Sequence, residues 1–150
     1  AGSFGALPVA GTGEGSFVAD YTFAAGRHFR GVRVVLRQGR IVELEADDDA
    51  QLLRDRLANE TGEPGTLSGV TLGLNPGAQG PTGRPELDCL LAGVVTLHFG
   101  NNELWGGSVK STLSLSLPAH DVTLRTRTHT LVSGGRLARL PATSRRLDRQ

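Results

Sequence analysis

The chain is poor in the residues that usually announce a chemistry. A single cysteine, Cys89, stands in 150 residues, so no internal disulfide and no thiolate metal cage can form, and a reducing, cytosolic setting is the expectation. No apolar run approaches the roughly 20 residues of a membrane span, and residues 1–15 lack the basic start and apolar stretch of a signal peptide. Aromatic residues make up only 5%, too few for the interleaved stacking platforms of single-strand nucleic-acid binders, so nucleic acid is not an expected partner. There is no glycine-rich phosphate loop before a helix, no HExxH, no CxxC and no GxSxG. The histidines His28, His98, His120 and His129 are scattered singly, and only His120 has an acidic neighbour, Asp121. A lone histidine on a strand reads first as an ordinary residue, not as a ligand.

What is abundant is glycine, 21 of 150 residues, about twice its usual share. That favours many turns joining short strands. The net charge of +1 conceals an asymmetry: residues 1–118 carry 9 Lys/Arg and 13 Asp/Glu, residues 119–150 carry 7 and 2, giving −4 and +5. All basic residues except Lys110 are arginine, a bias that reads first as a GC-rich coding sequence and second as selection for bidentate phosphate or carboxylate contacts.

Gly15 to Ala25 alternates apolar and polar residues with a period of two, as a half-buried strand does. Val32–Arg37 and Ile41–Glu45 flank Gln38-Gly39-Arg40 and predict a hairpin with a three-residue turn, Glu43 and Glu45 on its outer face. In DDDAQLLRDRLANETG, Asp47–Asp49 predict an N-cap and acidic first turn, Leu52, Leu53 and Leu57 an apolar stripe, and Gly62 the stop of one helix. Further strands are expected over Gly69–Leu74, Gly93–Phe99, Thr112–Leu117, one long strand over Val122–Val132, and Arg136–Leu140 after a Ser133-Gly134-Gly135 turn. Asn75–Pro85 is a Pro- and Gly-rich loop, longer than most. The expected fold is mainly β with one helix, an antiparallel, partly closed β-barrel or sandwich, forming a single domain over residues 1–140 with a basic, flexible tail over 141–150.

The order of the segments GRIVELEADDDAQLLRDRL, GLNPGA, GVVTLHFGNNELWGG and KSTLSLSL resembles the C-terminal part of the aminopeptidase T-type metallopeptidases, over about residues 7–135. The turn GNN…GG is the most specific piece. The resemblance implies a two-metal peptidase domain, and it implies equally that this chain has lost the metals. The family strand resembling GTVHIALGNN has its metal-binding His where this chain has Thr96. The His and Asp of a SALHWD-like strand fall on Ser114 and Ser116, and the Glu of an ELGIGLNP-like strand falls on Gly69. The Glu of the family's LPxGEV loop has no counterpart in Leu7–Thr12, Glu14 being the nearest. Thr and Ser hydroxyls do not hold a pair of divalent cations, so no metal, no other cofactor and no enzymatic activity is expected.

A degenerate relative of this kind resembles the precursor-peptide-binding proteins of crocagin, a ribosomal-peptide natural product. That resemblance implies a non-catalytic protein that holds a precursor peptide for modifying enzymes, with those tailoring enzymes and a second copy of the chain as further partners and no membrane. The alternative is a dimerisation or substrate-binding domain of a larger peptidase-like protein. The expected peptide-binding residues are Thr96, His98, Asn101, Asn102, Trp105, Ser114 and Ser116, reached by strand addition along an open sheet edge. Trp105, on a Gly-rich turn, reads either as the aromatic anchor of that site or as a plug in the core.

Overall fold

A computed structural model describes residues 2–139; the expected flexible tail lies outside them. The elements in chain order are β1 (Ser3–Ala6), β2 (Gly15–Ala24), β3 (Arg27–Arg37), β4 (Arg40–Glu45), α1 (Ala50–Ala58), β5 (Leu67–Gly73), α2 (Pro85–Asp88), β6 (Val95–Gly100), a 3-10 turn (Glu103–Trp105), β7 (Ser114–Ala119), β8 (Leu124–Arg125), β9 (Thr130–Ser133) and β10 (Arg136–Leu137). They form three antiparallel sheets, ordered β1-β5-β6-β7, β2-β3-β4 and β10-β9-β8. Among the described residues none of these sheets closes on itself, so the fold is mainly β with antiparallel sheets and two helices, and closure into a barrel is not established. The first two pack against each other across the main core, β2 lying along β7, and are joined as well by an isolated bridge Arg40↔Thr66 and by the Thr22 hydroxyl, which donates to the Ser116 carbonyl at 2.8 Å.

Three hairpins turn through two-residue loops whose residues both have positive φ: Ala25-Gly26 (51° and 76°), Gln38-Gly39 (50° and 74°) and Gly134-Gly135 (53° and 75°). This geometry matches the twist of the flanking strands. Gly39 is also required by close approach, since a Cβ there would meet the Thr12 carbonyl oxygen at 2.5 Å. The β3–β4 turn is therefore tighter than the three-residue turn predicted, with Arg40 already in the strand. β3 starts at Arg27, five residues before the alternation shows it. At Gly31 (φ 56°) the strand bends past the Asp47 carboxylate, and Phe29 and Val32, on opposite faces of the strand, both end in the core.

The predicted helix is present, but its start differs. Asp49 occupies the N-cap position at φ 53° and makes no side-chain cap. Asp48 and Asp49 instead hold the Arg27 guanidinium at 2.9 and 2.7 Å, a tertiary pairing that competes with local capping. The helix ends at Asn59 and not at Gly62, and of the leucine stripe only Leu53 is fully buried. A second, one-turn helix, α2, follows the long loop, with Pro85 in its first turn. The long strand expected over Val122–Val132 is broken into β8 and β9: the Thr126 N–H and hydroxyl both donate to the His129 carbonyl, at 2.8 and 3.2 Å, closing a turn in its middle. Threonine side chains bonding their own backbone compete with a strand ladder in this way.

The main core lies between the β2-β3-β4 sheet and β6-β7, with Ala19, Phe29, Val32, Val34, Leu53, Phe99, Leu115 and Leu117 at its centre. A smaller cluster of Leu72, Val95 and Val132 joins β5 and β6 to the β8-β9-β10 sheet. Val95, Leu97 and Phe99 of β6 thus face apolar partners, which leaves Thr96 and His98 on the other face of the sheet. None of the described helices is long and apolar enough to cross a membrane.

Candidate functional site

The face of the four-stranded sheet opposite the core carries the candidate site. Register sets Gly69 of β5 beside His98 of β6 and His98 beside Ser116 of β7. The next row is Gly5 of β1, Thr71, Thr96 and Pro118. Three positions that the family resemblance matches to metal ligands, Gly69, Thr96 and Ser116, therefore lie in two adjacent rows of one surface.

His98 is the centre of this surface. One ring nitrogen, Nε2, lies 2.9 Å from the Thr71 hydroxyl and the other, Nδ1, 2.9 Å from the Ser116 hydroxyl. The residue is 9% exposed, and burial holds its pKa down to about 4, so at neutral pH the imidazole carries no charge. A neutral ring donates through one nitrogen and accepts through the other, so the two hydroxyls play opposite roles.

Trp105 stands edge-on to His98, with ring centroids 5.0 Å apart and planes at 88°. Its indole occupies the space above Gly69: a Cβ there would lie 2.7 Å from Cζ3 of the tryptophan. The side chain is 52% exposed and is neither a core plug nor a free surface group. Gly106 (φ 83°) and Gly107 let the chain leave the turn, and Gly107 packs directly on the Asn102 amide.

Of the remaining expected residues, Asn101 is exposed and its Oδ1 accepts from the Glu103 N–H at 2.9 Å. Ser114 is exposed at the end of the surface, opposite Gly100. Asn102 and Thr96 differ from these two in being buried. Asn102 is buried, its amide donating to the Ser68 carbonyl and accepting from the Val109 N–H, both at 2.9 Å, so it clamps the turn. Thr96 is fully buried, and among the described residues its hydroxyl has no partner.

Sequence reasoning missed Thr71, the second hydroxyl on His98, although it lies two residues along β5 from Gly69 and so on the same face. It also missed Ser3, Gly5 and Leu7, which with Ala6, Val70, Thr71 and Trp105 line a cavity of about 330 Å³ at the β1 end of the surface.

The other end is bounded by α2 and the long loop, which a buried carboxylate anchors. Asp88 is fully buried and accepts from the Tyr21 hydroxyl, from the N–H and hydroxyl of Thr82 (2.8 Å each) and from the Gly83 N–H (3.2 Å). Burial would raise its pKa, but these donors outweigh it and hold the carboxyl below its usual range. Tyr21 is pushed up by burial and by the Asp88 charge, so the phenol stays protonated. This network ties the loop to β2.

The donor set does not fit a metal centre. Gly69 has no side chain, both nitrogens of His98 are engaged by hydroxyls, and among the described residues no three His, Cys, Asp or Glu side chains come together.

Solved structures share this fold. The 2,5-dihydroxypyridine dioxygenase of Pseudomonas putida KT2440 matches 89% of this chain with a TM-score of 0.71 and 19% identity. Wild-type AmpT of Thermus thermophilus, an aminopeptidase T, matches 91% of it with a TM-score of 0.68 and 20% identity. The chain spans about two fifths of each, 42% and 39% of their lengths. No family model and no curated protein matches the sequence. The relationship to aminopeptidase T is thus one of fold, and the same fold occurs in an oxygenase, so chemistry has to be argued from the site.

Proposed function

We propose that this chain is a non-catalytic peptide-binding protein, and that its peptide is a ribosomal precursor held for modifying enzymes, as in crocagin-like biosynthesis. The observation that carries the reading is the Trp105 indole seated over Gly69 and against His98. Where the resemblance to aminopeptidase T calls for a ligand carboxylate there is an aromatic ring, and the imidazole beside it is neutral and bonded to two hydroxyls. A surface built from hydroxyls, a neutral imidazole and one half-exposed indole lacks the charges that activate a water. It is suited to main-chain amides and apolar side chains.

The test is a display selection of random nonapeptides on the purified protein, followed by titration of the selected peptides and by assays with aminoacyl reporter substrates. Selected peptides should bind with Kd below about 100 μM and quench or shift the emission of Trp105, the single tryptophan. Reporter hydrolysis should stay at the uncatalysed rate with added Zn²⁺, Co²⁺ or Mn²⁺. Turnover that requires one of these metals would overturn the non-catalytic reading, and absence of binding up to roughly 1 mM would overturn the peptide reading.

One observation favours the alternative, a dimerisation or substrate-binding domain of a larger peptidase-like protein: the structures sharing the fold are more than twice as long. In its dimerisation form, that reading predicts a dimer at micromolar concentration and no peptide selected.

A further inference from the structure

From the register of β1 we infer where an extended peptide would add and which of its residues the protein would select; the inference rests on the peptide-binding reading. The Leu74 N–H donates to the Gly2 carbonyl at 3.0 Å, and Ser3, Phe4, Gly5 and Ala6 stand opposite Gly73, Leu72, Thr71 and Val70. Antiparallel pairs alternate between bonded and non-bonded, so Phe4 and Ala6 exchange main-chain bonds with β5, while Ser3 and Gly5 turn their N–H and C=O groups to the outer edge. Among the described residues nothing pairs with that edge.

A peptide strand laid there bonds to Ser3 and Gly5, and its residue opposite Gly5 projects on the same face as the glycine. That face is the cavity of about 330 Å³ lined by Ser3, Leu7, Thr71 and Trp105. Gly5 contributes no side chain, so the partner residue fills the space. No lining side chain is titratable, so the selected residue is uncharged; the half-exposed indole and Leu7 favour a Leu- or Phe-sized apolar group. The residues on either side project to the opposite face, beside Phe4, which is 58% exposed.

The occupant is a peptide and not a second copy of the chain. β1 is four residues long, about 13 Å at the rise of a strand. Pairing two such edges covers far less than the roughly 1,200 Å² of a stable dimer. When they pair about Gly5, each cavity faces another glycine and stays empty.

The test uses acetyl-Thr-Val-Thr-X-Thr-Val-Thr-amide peptides with X as Phe, Leu, Gly or Asp, titrated against the full chain by Trp105 fluorescence, with sedimentation run alongside. Phe and Leu peptides should bind at least about tenfold tighter than the Gly peptide, and the Asp peptide should bind no better than Gly. A Cβ at Gly5 meets nothing closer than Thr71 Cγ2 at 3.5 Å, so Gly5→Val keeps the fold while filling the cavity. It should bring the Phe and Gly peptides within about twofold of each other. Ser3→Pro removes an outward N–H without touching the β5 ladder and should weaken all four peptides alike.

If wild type prefers Phe and Gly5→Val keeps that preference, the selecting position lies elsewhere and this inference fails while peptide binding stands. If no peptide binds and the chain sediments as a dimer that Gly5→Val dissociates, a second copy occupies the edge and both readings fall. If no peptide binds to a monomer, the peptide reading itself is lost.

Discussion

The seat of Trp105 on Gly69 can be measured as a coupling between two substitutions. In Gly69→Ala the new methyl would sit 2.7 Å from Cζ3 and 3.2 Å from Cε3, inside van der Waals contact, so the indole has to leave. About half of the tryptophan surface is covered in the native chain, 52% being exposed, which is on the order of 120 Å². At about 25 cal/mol/Å² that burial is a ceiling of roughly 3 kcal/mol, and the edge contact with His98 adds about 1 kcal/mol. A displaced indole recovers part of this on other surface, so the expected loss is about 1–3 kcal/mol, or a Tm lowered by roughly 3–10 °C. In the Trp105→Ala background the same Gly69→Ala change meets no ring. There it should be neutral or stabilise by up to about 1 kcal/mol, because Gly69 does not sit at positive φ and alanine restricts the unfolded chain. Denaturant unfolding of the four proteins gives the coupling, and the single tryptophan reports displacement as a red-shifted emission in Gly69→Ala. Two changes that add within about 0.5 kcal/mol, with an unmoved emission maximum, would refute the contact and with it the observation on which the proposed function rests.

Acid should weaken the fold through His98. Its proton is bound near pH 6.5 when unfolded but only near pH 4 when folded, so the unfolded state holds more protons between those values; stability is intact above the window and falls as pH drops through it, by at most about 3 kcal/mol. Urea titrations from pH 7 to 4 should show that loss in wild type and a flatter profile in His98→Gln. Asp88→Ala leaves four donors in a buried space and should lower stability by about 2–4 kcal/mol, read by thermal unfolding, and Tyr21→Phe should lower it by less, since it removes one donor of the four. An unchanged Tm in Asp88→Ala would show that this carboxylate does not anchor the loop. Gly31→Ala should cost at least as much as a lost hydrogen bond, because its φ is 56° and a Cβ would lie 2.3 Å from Asp47 Oδ1; refolding yield and far-ultraviolet circular dichroism at matched temperature check it.

Local chemistry determined the elements that depend on residues near one another in the chain. Alternation placed β2, the core of β3, β4, β5 and β6, and the Leu52, Leu53 and Leu57 spacing placed α1, since a strand or helix face is written into consecutive residues. The sheet order, the partners of Asp48 and Asp49, the start of β3 at Arg27 and the break between β8 and β9 were decided by tertiary contacts. Arg27 is more than twenty residues from the aspartates that it takes from the helix cap, and a hydrogen-bond partner at that distance leaves no local pattern.

The site divides the same way. That Thr96, His98, Ser114 and Ser116 lie on strands around the GNN turn is readable from the sequence, as is the loss of ligand-type side chains at Gly69, Thr96, Ser114 and Ser116. Only register across β1, β5, β6 and β7 set Thr71 and Ser116 on the two nitrogens of His98, buried Thr96 and Asn102, and left Gly5 open beside Trp105. The pairing of one strand with another fixes which side chains share a row, and a glycine acquires a role only from what fills the space it leaves. At Gly69 the folded chain fills that space with its own indole, and at Gly5 it leaves the space to a partner.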